Sequence, residues 1–191
     1  MTMKYASMEW GTMEAVVNKL GGLENVQRRW REEDGIIYLT VTSDGTTGPQ
    51  WIECLEKKGF QLSDCAKSVL RSSDFVPTNG VTFEVAVLKG ELFTDKNRIT
   101  SNIRTDAEKR KLRKPNAEIA CLIRKNFSDG ELEAMGLYWL VVFHEPIKDS
   151  DGDPYFLSAR RRGDGLWLNA CCAGPGRQWD RGCGFVFVAG K

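Results

Sequence analysis

The sequence predicts an α+β fold in which helices pack on a small, mostly antiparallel sheet. The chain has 191 residues, of which 41% are hydrophobic, so it is long enough to bury a sizeable core. Runs with apolar residues at helical spacing and β-branched runs are separated by Gly, Pro and Asp turns. A strand near residue 36, two helices and a late cluster of strands are typical of this class.

The first 35 residues predict an N-terminal helical arm. Between Trp10 and Arg31, the segments MEAVVNKL and LENVQRRW place apolar residues at helical spacing on either side of a Gly21-Gly22 break. Asp34 and Gly35 then form a turn. The β-branched run IIYLTVTS follows as a buried strand and begins the main domain, residues 36–191.

Four further segments predict helices, each with a signal at its start. Pro49 suits the first turn of the helix QWIECLEKKGF, which Gly59 ends. Ser63 or Asp64 can cap DCAKSVLRSS, and Pro115-Asn116 precedes NAEIACLIRKNF. In SDGELEAMGL, a Ser is followed three residues later by a Glu, which is the spacing of a capping box.

Three segments predict the sheet. GVTFEVAVLKGELF is a strand with a turn or bulge at Gly90, and YWLVVFHEPI is a central strand of aromatic and β-branched residues. The terminal run Gly184 to Val188 has apolar groups on both faces. The basic segment between Thr94 and Lys114 lacks the aromatic residues that single-strand binders use, so we interpret it as a solvated loop or helix face.

Charge and hydropathy exclude some classes of partner. The chain has 27 basic and 26 acidic residues, a net charge of +1, so nucleic acid is not predicted as a partner. It has no apolar run of about 18 residues, so membrane insertion is not predicted either. The start, MTMKYASMEWGTMEAVV, lacks the charged-then-apolar order of a signal peptide, so we expect the chain to be intracellular until it is released.

No complete catalytic or metal motif is present in the sequence. His144 is the only histidine, and we expect it to be a hydrogen-bonded structural residue. Asp149, Asp151 and Asp153 alternate as in a calcium loop, but the glycine and glutamate that such a loop needs are misplaced, which favours a simple acidic turn. We therefore predict no cofactor and no metal, with calcium as a minor option.

The six cysteines fall into two groups. Cys54, Cys65 and Cys121 sit among apolar residues and predict small buried side chains. The other three are crowded into the segment CCAGPGRQWDRGC. Adjacent Cys171 and Cys172 do not have the spacing of zinc ligands, so a zinc site is not favoured.

The C-terminal segment combines regular and irregular residues. A scaffold is predicted from a strand around 166–170, a turn at Pro175 and a final strand. Its fixed residues are Trp167, Asn169, Trp179, Asp180, Gly184, Phe185 and Phe187. Between them lie small residues with no period, no charge pattern and no metal spacing, which packing does not explain.

The pattern N-A-x-x-x-x-P-x-x-x-W-D-R-x-x-G-F-x-F, from Asn169 to Phe187, resembles the C-terminal region of C-type lectin-fold proteins of the formylglycine-generating-enzyme-like branch. More narrowly, it resembles the variable proteins that diversity-generating retroelements diversify in microbes and their viruses. In those systems, adenines of a template repeat are copied with errors, so Asn codons become codons for Cys, Gly, Ala, Arg and others. GDGLWLNA stands where the enzyme-like branch has G-G-S-W, so its oxidase chemistry is not carried over.

The resemblance implies a C-type lectin-like domain with a variable ligand-binding region at about 160–183. Such a surface needs fixed scaffold residues and outward-pointing variable ones. The predicted variable residues, all expected to be exposed, are Arg160, Arg161, Arg162, Leu166, Cys171, Cys172, Ala173, Gly174, Gly176, Gly182 and Cys183. The set is poor in Tyr and Trp, so we expect weak binding.

The resemblance therefore predicts a non-enzymatic display protein, possessing no catalytic residue, whose ligand is a protein or glycan on a target surface. It favours display on a virion or a cell surface. Two alternatives stay open. One is a structural module in which the region from Cys171 to Cys183 is a disulfide hairpin. The other is an enzyme or metal protein that uses these cysteines, with His144 as the available base.

Overall fold

The computed structural model describes residues 30–149, 151–162 and 165–190 and confirms the α+β class. Within this part, nine strands form one mixed sheet, and five α-helices and two 3-10 turns accompany it. In chain order these are β1 Trp30–Glu33, β2 Ile36–Asp44, α1 Gly48–Lys57, β3 Gln61–Leu62, α2 Asp64–Arg71, β4 Asn79–Lys89, the 3-10 turns Gly90–Leu92 and Asp95–Asn97, α3 Thr100–Lys109, α4 Glu118–Asn126, α5 Asp129–Ala134, β5 Trp139–Val142, β6 Ile147–Lys148, β7 Pro154–Arg162, β8 Gly165–Cys172 and β9 Cys183–Val188.

The strands lie in the order β1-β2-β4-β9-β5-β7-β8-β3, and β6 pairs with β7. The β3–β8 and β5–β9 pairs are parallel and the other pairs are antiparallel. Strand β9, near the C-terminus, is inserted between β4 and β5, so the last strand joins the early part of the sheet to the late part. The sheet is larger than the small one that the sequence predicted.

One face of the sheet, called here the first face, is aliphatic and is covered by helices. Side chains such as Ile37, Val87 and Leu140 lie on it and are buried against Leu55 of α1 and Leu122 of α4. Helix α2 adds its own apolar stripe to the same cluster. Because a helix buries its apolar stripe against the apolar side of a strand, this face is closed by complementary elements.

The opposite side, called the second face, is rich in aromatic residues. Phe143 stacks on Phe156 with ring centres 4.9 Å apart, and Phe185 meets Phe143 edge to face at 5.4 Å. Trp179 packs edge to face on Trp139 at 5.7 Å. Helix α3 covers part of this face, and the remainder of the cover is a loop rather than a helix.

The helix starts follow the predicted capping signals. The Ser63 hydroxyl accepts a hydrogen bond from the Ala66 N–H at the start of α2. Ser128 and Glu131 form the predicted capping box of α5. Thr47 and Gln50 form a second capping box at α1, where Pro49 lies in the first turn.

One prediction near the N-terminus is wrong. Trp30 and Arg31 were expected to end a helix, but they belong to β1, in which Trp30 pairs with Leu39 and Glu33 with Ile36 of β2. The turn at Asp34 and Gly35, where both residues have positive φ, joins the two strands as a hairpin. Most of the predicted arm, residues 1–29, lies outside the described residues. In the described part of the chain, no helix has the length and apolar character needed to span a membrane.

Candidate ligand-binding surface

The β8–β9 loop, residues 173–182, is held against the start of α3 by main-chain hydrogen bonds. The first N–H groups of a helix have no partner within the helix. Here the Thr100 N–H donates to the Arg177 carbonyl at 3.1 Å, and the Ser101 N–H donates to the Pro175 carbonyl at 3.0 Å. The loop therefore supplies the acceptors that the helix start lacks.

A second set of contacts fixes the loop at Trp179. Its N–H donates to the Arg98 carbonyl at 3.0 Å, and its indole N–H donates to the Thr100 hydroxyl at 3.0 Å. The buried Arg98 side chain in turn donates to the Gly90 carbonyl at 2.7 Å. A Cβ on Gly90 would lie 2.6 Å from the Arg181 carbonyl oxygen, so only glycine permits this approach of the two backbones.

Three of the predicted display residues are buried, so the prediction that they are exposed is wrong. Cys171 and Ala173 are 6% and 7% exposed and Cys183 is fully buried, all in the aromatic cluster of the second face. The register explains Cys171, which is paired with the buried Phe156 of β7. Paired residues on neighbouring strands point to the same side of a sheet, so Cys171 shares the buried side of Phe156.

The glycines of the loop differ in whether a side chain would fit at their positions. A Cβ on Gly182 would lie 2.3 Å from Tyr138 Cε1, whereas a Cβ on Gly176 would meet nothing within 4 Å. A Cβ on Gly174 would make only an ordinary contact with Cys172 Sγ at 3.7 Å, and the Cys172 side chain is exposed. Gly182 is thus a packing residue, while Cys172, Gly174 and Gly176 can present other side chains.

The predicted variable arginines do not all lie on one face of the sheet. Arg161 forms an ion pair with Glu133 of α5 at 2.5 Å. Arg160, the next residue, points to the second face, because successive side chains of a strand alternate. Arg162 and Leu166 lie in β7 and β8, and their side chains are outside the described residues.

A row of side chains crosses four strands at the end of the second face. Trp139 is paired with Cys183 on one side and with Arg160 on the other, and Arg160 is paired with Trp167. The Arg160 guanidinium carbon lies 4.6 Å from the centre of the Trp139 ring. Asn169, in the next row, is half-buried like Arg160 and Trp167.

Arg177 reaches the same row from the β8–β9 loop. Its guanidinium carbon lies 4.5 Å from the centre of the Trp179 ring and 6.0 Å from that of Trp139. Each such cation–π contact is worth about 0.5–2 kcal/mol. We call this set the arginine–tryptophan surface, which consists of Trp139, Arg160, Trp167, Asn169 and Arg177.

Three buried N–H donors on this surface have no hydrogen-bond acceptor among the described residues. They are the Nε atoms of Arg160 and Arg177 and the indole Nε1 of Trp139, whose side chain is only 7% exposed. An unsatisfied buried donor costs about 1–3 kcal/mol. Among the described residues, no carboxylate forms an ion pair with either arginine.

The thiols near this surface are poor nucleophiles. Burial raises the pKa of Cys171 to about 12 and that of Cys183 to about 11, so the thiolate is scarcely populated at neutral pH. The six cysteines are all free. Burial and a hydrogen bond to Asp180 also raise the pKa of Tyr138, whose hydroxyl donates to Asp180 Oδ2 at 2.9 Å.

The histidine and the acidic turn have structural hydrogen bonds, as predicted. His144 Nε2 accepts from the Leu157 N–H at 2.9 Å and Nδ1 donates to the Glu145 carbonyl at 2.5 Å, so the ring is neutral. Burial lowers the pKa of His144 to about 4. Asp149 Oδ1 accepts from the N–H groups of Asp151 and Asp153, each at 3.0 Å. The part of the chain that the structure describes holds no group of three or more His, Cys, Asp or Glu suited to a metal ion.

The residues predicted as scaffold differ in how deeply they are buried. Trp179, Gly184, Phe185 and Phe187 are buried. Two other predicted scaffold residues, Trp167 and Asn169, are half-buried on the arginine–tryptophan surface instead. Asp180 is exposed and serves the scaffold by holding Tyr138.

Sequence reasoning missed Trp139 and Arg177 as surface residues. Trp139 was included only in a central strand, and nothing in its neighbours shows that an arginine from β7 would cover it. Arg177 follows Gly176 and lies two residues before Trp179. This closeness to a tryptophan is the one signal in the sequence that could have identified Arg177 as a residue of the surface.

Comparisons of the whole chain with protein-family models, with curated proteins and with solved structures find no match.

Proposed function

We propose that this protein is a non-enzymatic ligand-binding protein of C-type lectin-like fold, whose C-terminal surface is diversified by a retroelement. The surface consists of the arginine–tryptophan surface together with Cys172, Gly174 and Gly176. The ligand in this proposal is a protein or glycan on a target surface, which the protein meets when displayed on a virion or a cell.

The observation that carries the proposal is how the β8–β9 loop is held. Main-chain atoms of residues 175, 177 and 179 bond to α3 and to Arg98, and the Trp179 indole adds one side-chain bond to Thr100. None of these bonds depends on the side chains at 174, 176 or 177. A loop fixed in this way keeps its shape while those side chains change. That separation is what a diversified binding surface requires.

The adjoining residues favour binding over catalysis. Tyr, Trp and Arg contribute most of the energy in protein interfaces, and the surface has two tryptophans and two arginines. The surface is therefore better suited to binding a ligand than the small loop residues alone had indicated from the sequence. The raised pKa values of Cys171 and Cys183 count against the alternative of a cysteine nucleophile.

The test is to sequence the DNA that flanks the gene and search for a near-identical repeat of the region encoding residues 169–187. The proposal predicts a repeat near a reverse transcriptase gene, with differences confined to adenine positions of the template. Differences are expected at the codons of Cys172, Gly174, Gly176 and Arg177. The codons of Trp179 and Phe185 should be identical, because both side chains are buried. Absence of a repeat, or differences at the buried aromatic codons, would contradict diversification.

A further inference from the structure

We infer that the arginine–tryptophan surface binds an oxyanion, a carboxylate or a phosphate group, of the ligand. This inference rests on the proposed function, since it assigns a chemistry to the ligand of the same surface. It does not depend on diversification.

The first argument is the number of donors without acceptors around one ring. The Trp139 indole N–H, in a side chain more than nine-tenths buried, has no partner in residues 30–149, 151–162 and 165–190. The Nε atoms of Arg160 and Arg177 also have none, and both guanidinium carbons lie within 6.0 Å of the centre of the Trp139 ring. Buried polar groups in proteins almost always have a partner, so this concentration of donors requires an explanation.

The second argument is charge. Three other arginines with well-buried or half-buried side chains have carboxylate partners: Arg98 with Asp95 at 3.0 Å, Arg124 with Asp129 at 2.7 Å and Arg161 with Glu133 at 2.5 Å. Arg160 and Arg177 have aromatic rings instead of a carboxylate within the described residues. Two positive charges therefore converge on Trp139, and the part of the chain that the structure describes supplies no carboxylate to pair with them.

The third argument is that the donors are held in place. Arg160 lies in β7 and is flanked by β5 and β8, and the backbone of Arg177 is fixed at both its N–H and its carbonyl. Stacking on the indole rings restricts the guanidinium groups further. Arginine donors fixed in this way match the two oxygens of a carboxylate or phosphate group, which can accept two hydrogen bonds at once.

The test is a titration of the full-length ¹⁵N-labelled chain with inorganic phosphate and, separately, with N-acetylglutamate. Chloride at equal ionic strength provides the reference for simple screening. We expect saturable movement of the Trp139 indole N–H signal and of the Nε–H signals of Arg160 and Arg177. Trp139→Phe, Arg160→Gln and Arg177→Gln assign the three signals, and the spectrum of each variant reports whether it is folded.

Arg160→Gln or Arg177→Gln should weaken binding about tenfold or more, because each removes a charged hydrogen-bond donor. The matched control is Arg181→Gln, an exposed arginine of the same loop, which should leave the affinity unchanged. A stronger response to N-acetylglutamate assigns a carboxylate ligand, and a stronger response to phosphate assigns a phosphate group. Movement no larger than with chloride, or equal weakening by Arg181→Gln, would overturn the inference.

The two proposals fail separately. If the flanking DNA contains the repeat and neither anion moves these signals, only the oxyanion inference is lost. If an anion binds and no repeat exists, diversification is lost and the anion site remains.

Discussion

The two faces of the sheet differ in how they are closed. The first face is aliphatic and is covered by helices, whose apolar stripes match it. The second face is aromatic and is covered by α3 and by a loop that main-chain hydrogen bonds hold in place. At one end of the second face Arg160 and Arg177 lie half-buried, and neither has a carboxylate partner among the described residues. The arginine–tryptophan surface lies on the face whose cover includes a loop, and it is there that we propose ligand binding.

The largest expected effect tests whether the aromatic cluster supports the loop. Phe185→Ala should lower the free energy of unfolding by about 3–5 kcal/mol, because it leaves a cavity beneath Trp179. It should also weaken hydrogen-exchange protection of the Thr100 and Ser101 amides, which donate to the loop. Leu122→Ala, on the first face, is the matched control and should destabilise the protein without a selective loss at these two amides. If both variants reduce the protection of these two amides equally, the aromatic cluster of the second face does not specifically support the loop.

The next effect concerns His144, which packs against Phe156 beside the second face. Burial lowers its pKa to about 4 from 6.5, so the unfolded chain takes up a proton that the folded ring does not. The contribution of His144 to the free energy of unfolding should be fully present above pH 6.5, and about 3 kcal/mol of it should be lost as the pH drops from 6.5 to 4. Urea unfolding across this range measures it.

His144→Gln provides the control, since a Gln carbonyl can accept the Leu157 N–H bond and does not titrate. The loss between pH 6.5 and 4 should disappear in this variant. Asp44, whose pKa is lowered to about 2 by hydrogen bonds from Lys125 and Thr46, contributes stability that is lost only below pH 3.8. An unchanged pH profile in the variant would show that His144 is not the group responsible.

A smaller effect separates fixed from free positions within the loop. Gly182→Ala should cost about 1–3 kcal/mol, because the new Cβ would overlap the Tyr138 ring. Gly176→Ala, in the same loop with open space around it, should change stability by less than about 0.5 kcal/mol. Thermal unfolding of both variants measures the difference, and similar costs would contradict the assignment of Gly182 to packing.

The smallest expected effect is a difference in thiol reactivity, which reports how well the second face is covered. With a disulfide reagent at mildly alkaline pH, the exposed Cys172 should react well before Cys171 and Cys183. Burial raises the pKa of both slower thiols and also blocks access to them. Peptide mapping of the labelled protein gives the order, and early labelling of Cys183 would show that the second face is open.

Local signals predicted much of the fold from sequence. The caps at Ser63 and Ser128 and the apolar run from Trp139 to Val142 each act over a few residues, so they could be recognised without the sheet. Trp30 was assigned to a helix because its strand depends on pairing with Leu39, which the local pattern does not show.

For several residues of the C-terminal segment, the sequence predicted the reverse of the observed burial. Small residues without a pattern were expected to face outward, yet Cys171 and Cys183 fill the gaps between aromatic rings. Which small residue is buried depends on the register of β7 with β8, and the sequence alone does not determine that register. The role of Arg177 depends on a loop folding back over Trp139, which is a long-range contact of the same kind.

The central claim is that the β8–β9 loop separates fixed scaffold positions from free ones, and two randomised libraries test it most directly. One varies Cys172, Gly174, Gly176 and Arg177, and the other varies Cys171, Ala173, Gly182 and Cys183, each scored by resistance to proteolysis. The account predicts that most members of the first library stay folded and that most members of the second do not. Equal survival of the two libraries, or better survival of the second, would contradict it.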